Sequence, residues 1–204
     1  MNKVIIKTAL KTLLILIIVA LAAFAVASFG FPQHMATFFE NTENYTLATK
    51  YASLRYSYTG EVDDAARCVE DSILSGDNDD LIQYCEIFVN HSDFDTYCTQ
   101  MDEYYSTAAY SSYTLSYKQY IYGKYAVALA VNGQKQDAVN TALNANGLHS
   151  FKSGNAVSVL ALWAAGKEDG ETCSLIAAAM ESINAPEDAE YYNDILQIVK
   201  NAAA

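Results

Sequence analysis

The sequence predicts an all-α protein in which one membrane-spanning helix is followed by an α-solenoid, an array of antiparallel helix hairpins. Residues 12–31 form an uncharged apolar run of about 20 residues, which is the length of a helix that crosses a bilayer. The 204 residues include only 2 prolines, and their abundant Ala, Leu and Ile favour helix. Several later segments end at Gly or Asn-Gly, the signature of helix C-termini.

The charges around the apolar run predict its orientation. Lys3, Lys7 and Lys11 precede the run, and the first acidic residue is Glu40. Because Lys and Arg concentrate on the cytoplasmic side of membrane spans, residues 1–11 are expected in the cytoplasm and the rest of the chain outside. The predicted product is a single-pass protein of the cell membrane.

A cleaved signal peptide is the alternative interpretation of the same run. Ala25-Val26-Ala27 matches the small-x-small cleavage pattern, and cleavage after Ala27 would release a secreted domain. The apolar core of a signal peptide is about 7–15 residues long. Because this run continues for about 20 residues without a charge or helix breaker, an uncleaved anchor is favoured.

The charge of the exported part excludes some partners. Three of the 12 Lys and Arg lie before the span, which leaves nine against 24 Asp and Glu, a net charge of −15. Such a charge repels nucleic acid and anionic lipid headgroups. Disorder does not explain the acidity, because hydrophobic residues make up 52% of the chain.

Caps and periodicity divide the exported chain into a linker at 32–41 and a helical domain at 42–201. Met35, Phe38 and Phe39 either begin the first helix, which is favoured, or rest in the membrane interface. Asp77-Asn78-Asp79-Asp80 lacks the glycine of a calcium loop and predicts a turn with an aspartate N-cap. The expected helices are one capped by Asn41 or Thr42 that stops near Gly60, 61–75, one from about 81 to 90, one capped by Ser92 or Asp93 that ends at about 105 or beyond, one that is strongly apolar from 121 to 131, 134–145, 155–165, 171–183 and 186–201.

A tyrosine-rich segment at 104–125 holds the candidate binding residues. Spacings of three, four and three place four tyrosines on one helical face. Tyrosine combines apolar contact area with a polar tip, so such a face can line a groove for a peptide or glycan. The alternative is that the rings fill layers between helices. The four residues are Tyr110, Tyr113, Tyr117 and Tyr120.

Two helix turns have the same pattern, glycine, four residues and alanine, at 60–65 and 133–138. Together with their flanking positions they resemble the tetratricopeptide repeat (TPR), in which small and large residues alternate where paired helices cross. A weaker third unit centres on Gly166, and no unit has the closing proline. The resemblance implies a TPR-like solenoid with scaffold or adaptor function. The matching positions are Ser53, Tyr56, Ala65, Val69 and Ser72; Tyr122, Ala126, Leu129, Ala138, Ala142 and Ala145; and Leu162, Leu175 and Ala178.

The cysteines are disulfide candidates if the domain lies in an oxidising space. Cys68 and Cys85 are equally far from the turn at 76–77, and Cys85 and Cys98 are equally far from the turn at 91–92. In antiparallel hairpins this places the three side chains at one level, so either neighbouring pair is a candidate for a disulfide. The alternative is free buried thiols. Cys173 has no evident partner, and no spacing indicates a metal site.

The function expected from these observations is non-catalytic binding. The sequence lacks nucleophile-elbow, zinc-protease, phosphate-loop and C-x-x-C motifs, so neither an enzyme nor a cofactor is expected. We expect a membrane-anchored extracytoplasmic scaffold that binds a protein or peptide partner in the cell envelope. One alternative is a glycan-binding protein that uses the same tyrosines, and another is an extracytoplasmic hydrolase whose catalytic acids are unidentified.

Overall fold

The computed structural model describes residues 2–107, 116–145, 151, 153–182 and 190–204, with side chains from residue 6. These residues form helices joined by short turns and contain no strand, which confirms the all-α prediction. The helices are α1 (Asn2–Gly30), α2 (Pro32–Asn41), α3 (Tyr45–Thr59), α4 (Val62–Ser75), α5 (Asn78–Val89), α6 (Phe94–Thr107), α7 (Tyr117–Val131), α8 (Lys135–Asn144), α9 (Ala156–Gly166), α10 (Gly170–Glu181) and α11 (Glu190–Ala203).

The chain divides into two compact units, unit 1 (Met1–Asp71) and unit 2 (Ser72–Ala204), and α4 crosses the boundary. The sequence predicts one domain at 42–201 and a linker at 32–41. The segment 32–41 is instead the helix α2, which packs against α3. Pro32 starts this helix at a position where its missing N–H costs no hydrogen bond.

Helix α1 contains the apolar stretch Ile6–Gly30, 25 residues long and almost entirely exposed. Its length and composition suffice to cross a membrane. The last turn of α1 is tied to the rest of unit 1, because the Tyr51 hydroxyl donates a hydrogen bond of 3.0 Å to the buried Ser28 hydroxyl. The Tyr51 ring stacks on Phe39 of α2 at 5.4 Å.

Most predicted helix ends lie where local capping chemistry places them. The Asp77 carboxylate accepts hydrogen bonds from the backbone N–H groups of Asp79 and Asp80 at the start of α5, so this turn is the aspartate N-cap that the sequence predicts. The N-cap of α3 differs from the prediction. The side chain of Asn44, rather than that of Asn41 or Thr42, accepts a hydrogen bond from the backbone N–H of Leu47, the third residue of α3. The predicted start of the last helix, near residue 186, lies outside the described residues.

The core of unit 2 lies around α7 and α9. Helix α7 packs against α5, α6, α8 and α9, and α9 also contacts α10 and α11. At the α7–α9 crossing, a Cβ on buried Gly123 would approach the Val159 side chain to 3.3 Å, so glycine permits the close approach. The largest fully buried side chains of this core include Ile121, Leu160, Ile176, Met180, Ile195 and Val199.

The repeat positions differ in burial between the three predicted units. Ala65 and Val69 in the first unit are buried, as are the five small or aliphatic positions from Ala126 to Ala145 in the second. The third unit is wrong in register, because Leu162 is 48% exposed and Ala178 is exposed, while Ala161 is fully buried. Helix α9 therefore turns a different face to the core than the repeat pattern predicts.

Candidate functional site

The predicted tyrosine face is only partly within the described residues. Tyr110 and Tyr113 lie outside them. Tyr117 is the first residue of α7 and is 4% exposed, while Tyr120, one turn later, is half-buried. The use of these four residues in partner binding stays a prediction, but Tyr117 now has a clear packing role.

Tyr117 makes a hydrogen bond through its backbone and packs through its ring. Its backbone N–H donates to the Asp102 carboxylate of α6 at 2.5 Å, so a side chain from another helix satisfies a free donor at the start of α7. The ring lies 5.9 Å from Tyr97 and 6.5 Å from Tyr105, measured between centroids. The interpretation in which tyrosines fill a layer between helices therefore describes Tyr117.

A continuous set of rings leads from this layer to the surface. Tyr105 stacks on Tyr117 and meets Tyr104 edge-on at 5.4 Å. Tyr104 is 63% exposed. We call Tyr104, Tyr105, Tyr117 and Tyr120 the aromatic ladder. Tyr104 and Tyr105 lie on α6, and the spacing of tyrosines along a single helix does not predict rings that a neighbouring helix contributes.

Cations flank the aromatic rings of α6 and α7. The Lys124 ammonium lies 5.6 Å from the ring centroid of Tyr120, and the Lys118 ammonium lies 5.8 Å from that of Phe94. Lys118 also donates to the Asp95 carboxylate at 2.8 Å, and this hydrogen bond raises the pKa of Lys118. These contacts hold the two lysines against apolar surface, as expected for cation–π pairs.

All four cysteines are buried and are free thiols in the structure. Cys68 lies in unit 1 and Cys85 and Cys98 lie in unit 2. Burial raises the pKa of the Cys68 and Cys98 thiols to about 12, and it raises the pKa of Cys85. Since the thiolate is the reactive form, these side chains are chemically quiet in the folded chain. The disulfide stays a prediction.

Alkylation with iodoacetamide checks both interpretations. We expect labelling of the native thiols to be at least about tenfold slower than in urea, because burial suppresses access and ionisation together. Ser174→Cys is the matched control, since Ser174 is exposed next to buried Cys173 and its thiol should react in the native protein. Cysteines of the purified chain that label in urea only after a reductant is added would instead demonstrate a disulfide.

Unit 1 contains a compact charged cluster between α2 and α4. The Arg67 guanidinium donates to both Glu40 carboxylate oxygens, at 2.5 and 2.8 Å, and to the Thr37 hydroxyl at 2.7 Å. Asp71, one turn after Arg67, is 3% exposed, and its Oδ2 has no hydrogen-bond partner. Burial, and then the nearby Glu40 charge, raise the pKa of Asp71 to about 7 although Arg67 opposes the shift.

Within the described parts of the chain, no group of three or more His, Cys, Asp and Glu side chains is arranged to hold a metal ion. Comparison with protein-family models, with curated proteins and with solved structures gives no match to this chain.

Proposed function

We propose that this protein is a membrane-anchored, non-catalytic scaffold that binds a protein or peptide partner outside the cytoplasmic membrane. In this proposal α1 spans the membrane with residues 1–11 in the cytoplasm, and the helix hairpins that follow form a TPR-like body. The partner binds at the exposed end of the aromatic ladder on α6 and α7. The acidic body, with its net charge of −15, disfavours nucleic acid as that partner.

The exposed Tyr104 ring at the end of a buried aromatic layer carries this proposal. Interface anchors are typically large, rigid aromatic side chains that lose little conformational entropy on binding. Tyr104 is 63% exposed, but its ring contacts Tyr105, which itself stacks on the buried Tyr117. The ladder thus exposes the Tyr104 ring to solvent, while the contacts with Tyr105 and Tyr117 hold that ring in place.

The test uses site-specific photo-crosslinking in cells. The Kd for the purified partner is then measured with variants of this chain. A photoreactive phenylalanine analogue at position 104 should capture one partner that the same analogue at Leu162 does not. Leu162 is the control because it is also an exposed apolar residue of unit 2, 48% exposed. With the purified partner, Tyr104→Ala should raise Kd by about tenfold or more, and Leu162→Ala should leave it unchanged.

Two results would contradict the proposal. Equal capture from positions 104 and 162 would mean that the ladder does not select a partner. If no protein is captured but an envelope oligosaccharide shifts the Tyr104 resonances, the ring is instead a stacking platform for sugar, because carbohydrate binding also uses exposed aromatic faces.

A further inference from the structure

Three phenylalanine rings near the end of the apolar helix are unusually exposed. Phe29 is 68% exposed, Phe31 58% and Phe38 56%. A single exposed apolar residue is ordinary, but a group of large exposed rings marks a surface that another apolar body covers. All three belong to unit 1, at the end of α1 and on or beside α2.

Helix α2 is fixed in place by its inner face. Pro32, Met35 and Ala36 are buried, and the Phe39 ring stacks on Tyr51 of α3 with an interplanar angle of 8°. The salt bridge between Glu40 and Arg67 holds the end of the helix to α4. The exposed rings therefore belong to an ordered helix whose core-facing side is already occupied.

The outer face of α2 and the residue before it carry a row of three exposed rings. Phe31, His34 and Phe38 are separated by three and four residues, which places them above one another on one side of a helix. The rings of Phe31 and His34 meet edge-on at 6.1 Å, and all three side chains are exposed. The helix α2 thus has one apolar face packed in unit 1, and the rings of Phe31, His34 and Phe38 face outward.

The outer face of α2 is continuous with the apolar surface of α1. The Phe31 side chain lines an open apolar groove together with residues of α1, so it lies back along the helix that precedes it. No charged residue occurs between Lys11 and Glu40, so the uncharged surface is longer than the apolar helix itself. The residues of α1 in this groove are Val19, Ala22, Ala23, Val26 and Ala27.

We propose that Phe29, Phe31 and Phe38 form an interfacial collar, with the outer face of α2 lying in the boundary between headgroups and acyl chains where α1 leaves the bilayer. The proposal rests on the membrane anchoring proposed above. Amphipathic helices that lie in the plane of this boundary bury Phe, Trp and Leu side chains of their apolar face in it. The collar would fix the angle at which unit 1 leaves the membrane.

The absence of basic residues from the collar predicts which lipid headgroups it needs. Because no Lys or Arg occurs at 12–39, this face has no permanent cation to attract anionic headgroups, so a zwitterionic phospholipid should suffice. Binding through burial of apolar rings is insensitive to salt, in contrast to binding through basic residues. We therefore expect the same insertion depth in phosphatidylcholine alone and in its mixture with phosphatidylglycerol.

The test measures depth by tryptophan quenching in the full-length chain, reconstituted in phosphatidylcholine vesicles. Trp163 is the only native tryptophan, so Trp163→Phe gives a silent background. In it, Phe38→Trp should lose about half of its emission to lipids brominated near the headgroup end of the acyl chain. Leu16→Trp, in the middle of the apolar helix, should instead be quenched by lipids brominated near the chain end.

Each other outcome has a distinct meaning. If Leu16→Trp is quenched but Phe38→Trp remains accessible to acrylamide in water, the collar is refuted and the anchor stands. If Leu16→Trp is not quenched by any lipid, the anchor and the proposed function fail together. If Phe38→Trp is shielded from both lipid and acrylamide, and the shielding grows with the protein-to-lipid ratio, a second copy covers the face and the collar is refuted.

Discussion

Replacing Tyr117 by alanine is expected to lower the free energy of unfolding of unit 2 by about 3–4 kcal/mol. The ring is 4% exposed and contacts the rings of Tyr97, Tyr105 and Tyr120. Truncation removes the apolar burial of an aromatic side chain and leaves a cavity that neighbouring rings fill only in part, which typically costs this much. Urea unfolding followed by the fluorescence of Trp163, a half-buried residue of α9, measures the change.

Tyr104→Ala is the matched control, because Tyr104 belongs to the same ladder but is 63% exposed. It should change the free energy of unfolding by less than about 0.5 kcal/mol while weakening partner binding. The two variants therefore distinguish an effect on the free energy of unfolding from an effect on partner binding. A small effect of Tyr117→Ala, comparable with that of Tyr104→Ala, would contradict the assignment of Tyr117 to the layer between α6 and α7.

The stability of unit 1 is expected to fall as the pH rises from about 4 to about 7. Burial and the Glu40 charge raise the pKa of Asp71 from its ordinary value to about 7, so over this range the folded chain keeps a proton that the unfolded chain releases. The free energy of unfolding therefore decreases with increasing pH. At about 1.4 kcal/mol per pKa unit, raising the pKa of Asp71 from about 4 to about 7 destabilises the folded state by about 4 kcal/mol above pH 7.

Asp71→Asn should remove this pH dependence. The amide has the shape of the carboxyl, does not ionise and carries an N–H that can donate to Glu40, so at pH 8 the variant should be more stable than the natural chain by about 4 kcal/mol. At pH 4 the two should be nearly equal. Hydrogen exchange in peptides of α2 and α3, combined with urea unfolding, reports on unit 1.

The control for this experiment is Asp63→Asn, since Asp63 is an exposed acid in the first turn of the same helix, α4. It should change the stability by less than about 1 kcal/mol at either pH. If Asp63→Asn and Asp71→Asn behave alike, the ionised Asp71 carboxylate does not destabilise the folded state. If Asp71→Asn destabilises unit 1 at pH 8, the carboxylate is stabilising as an ion. Either result contradicts the assigned direction.

The apolar helix at the N-terminus, the all-α class and most helix limits follow from the amino-acid sequence alone. These features depend on residues close in the chain: an uncharged run of sufficient length, an acceptor side chain at an N-cap such as Asp77, and glycine in the left-handed region, as at Gly60 with φ of 66°. Such short-range chemistry acts before any other helix is in contact, so its consequences can be derived from local pattern alone.

Which side of each helix is buried depends instead on how the helices pack against one another. The third repeat unit was misplaced because periodicity allows either Ala161 or Leu162 to face inward, and the helices that pack on α9 select Ala161. The exposure of Tyr104 and the burial of Tyr117 likewise depend on how α6 meets α7. Glu40 and Asp71 lie close together although 31 positions separate them in the sequence. Burial and pKa depend on which distant groups surround a side chain, and this is fixed only when the helices have packed.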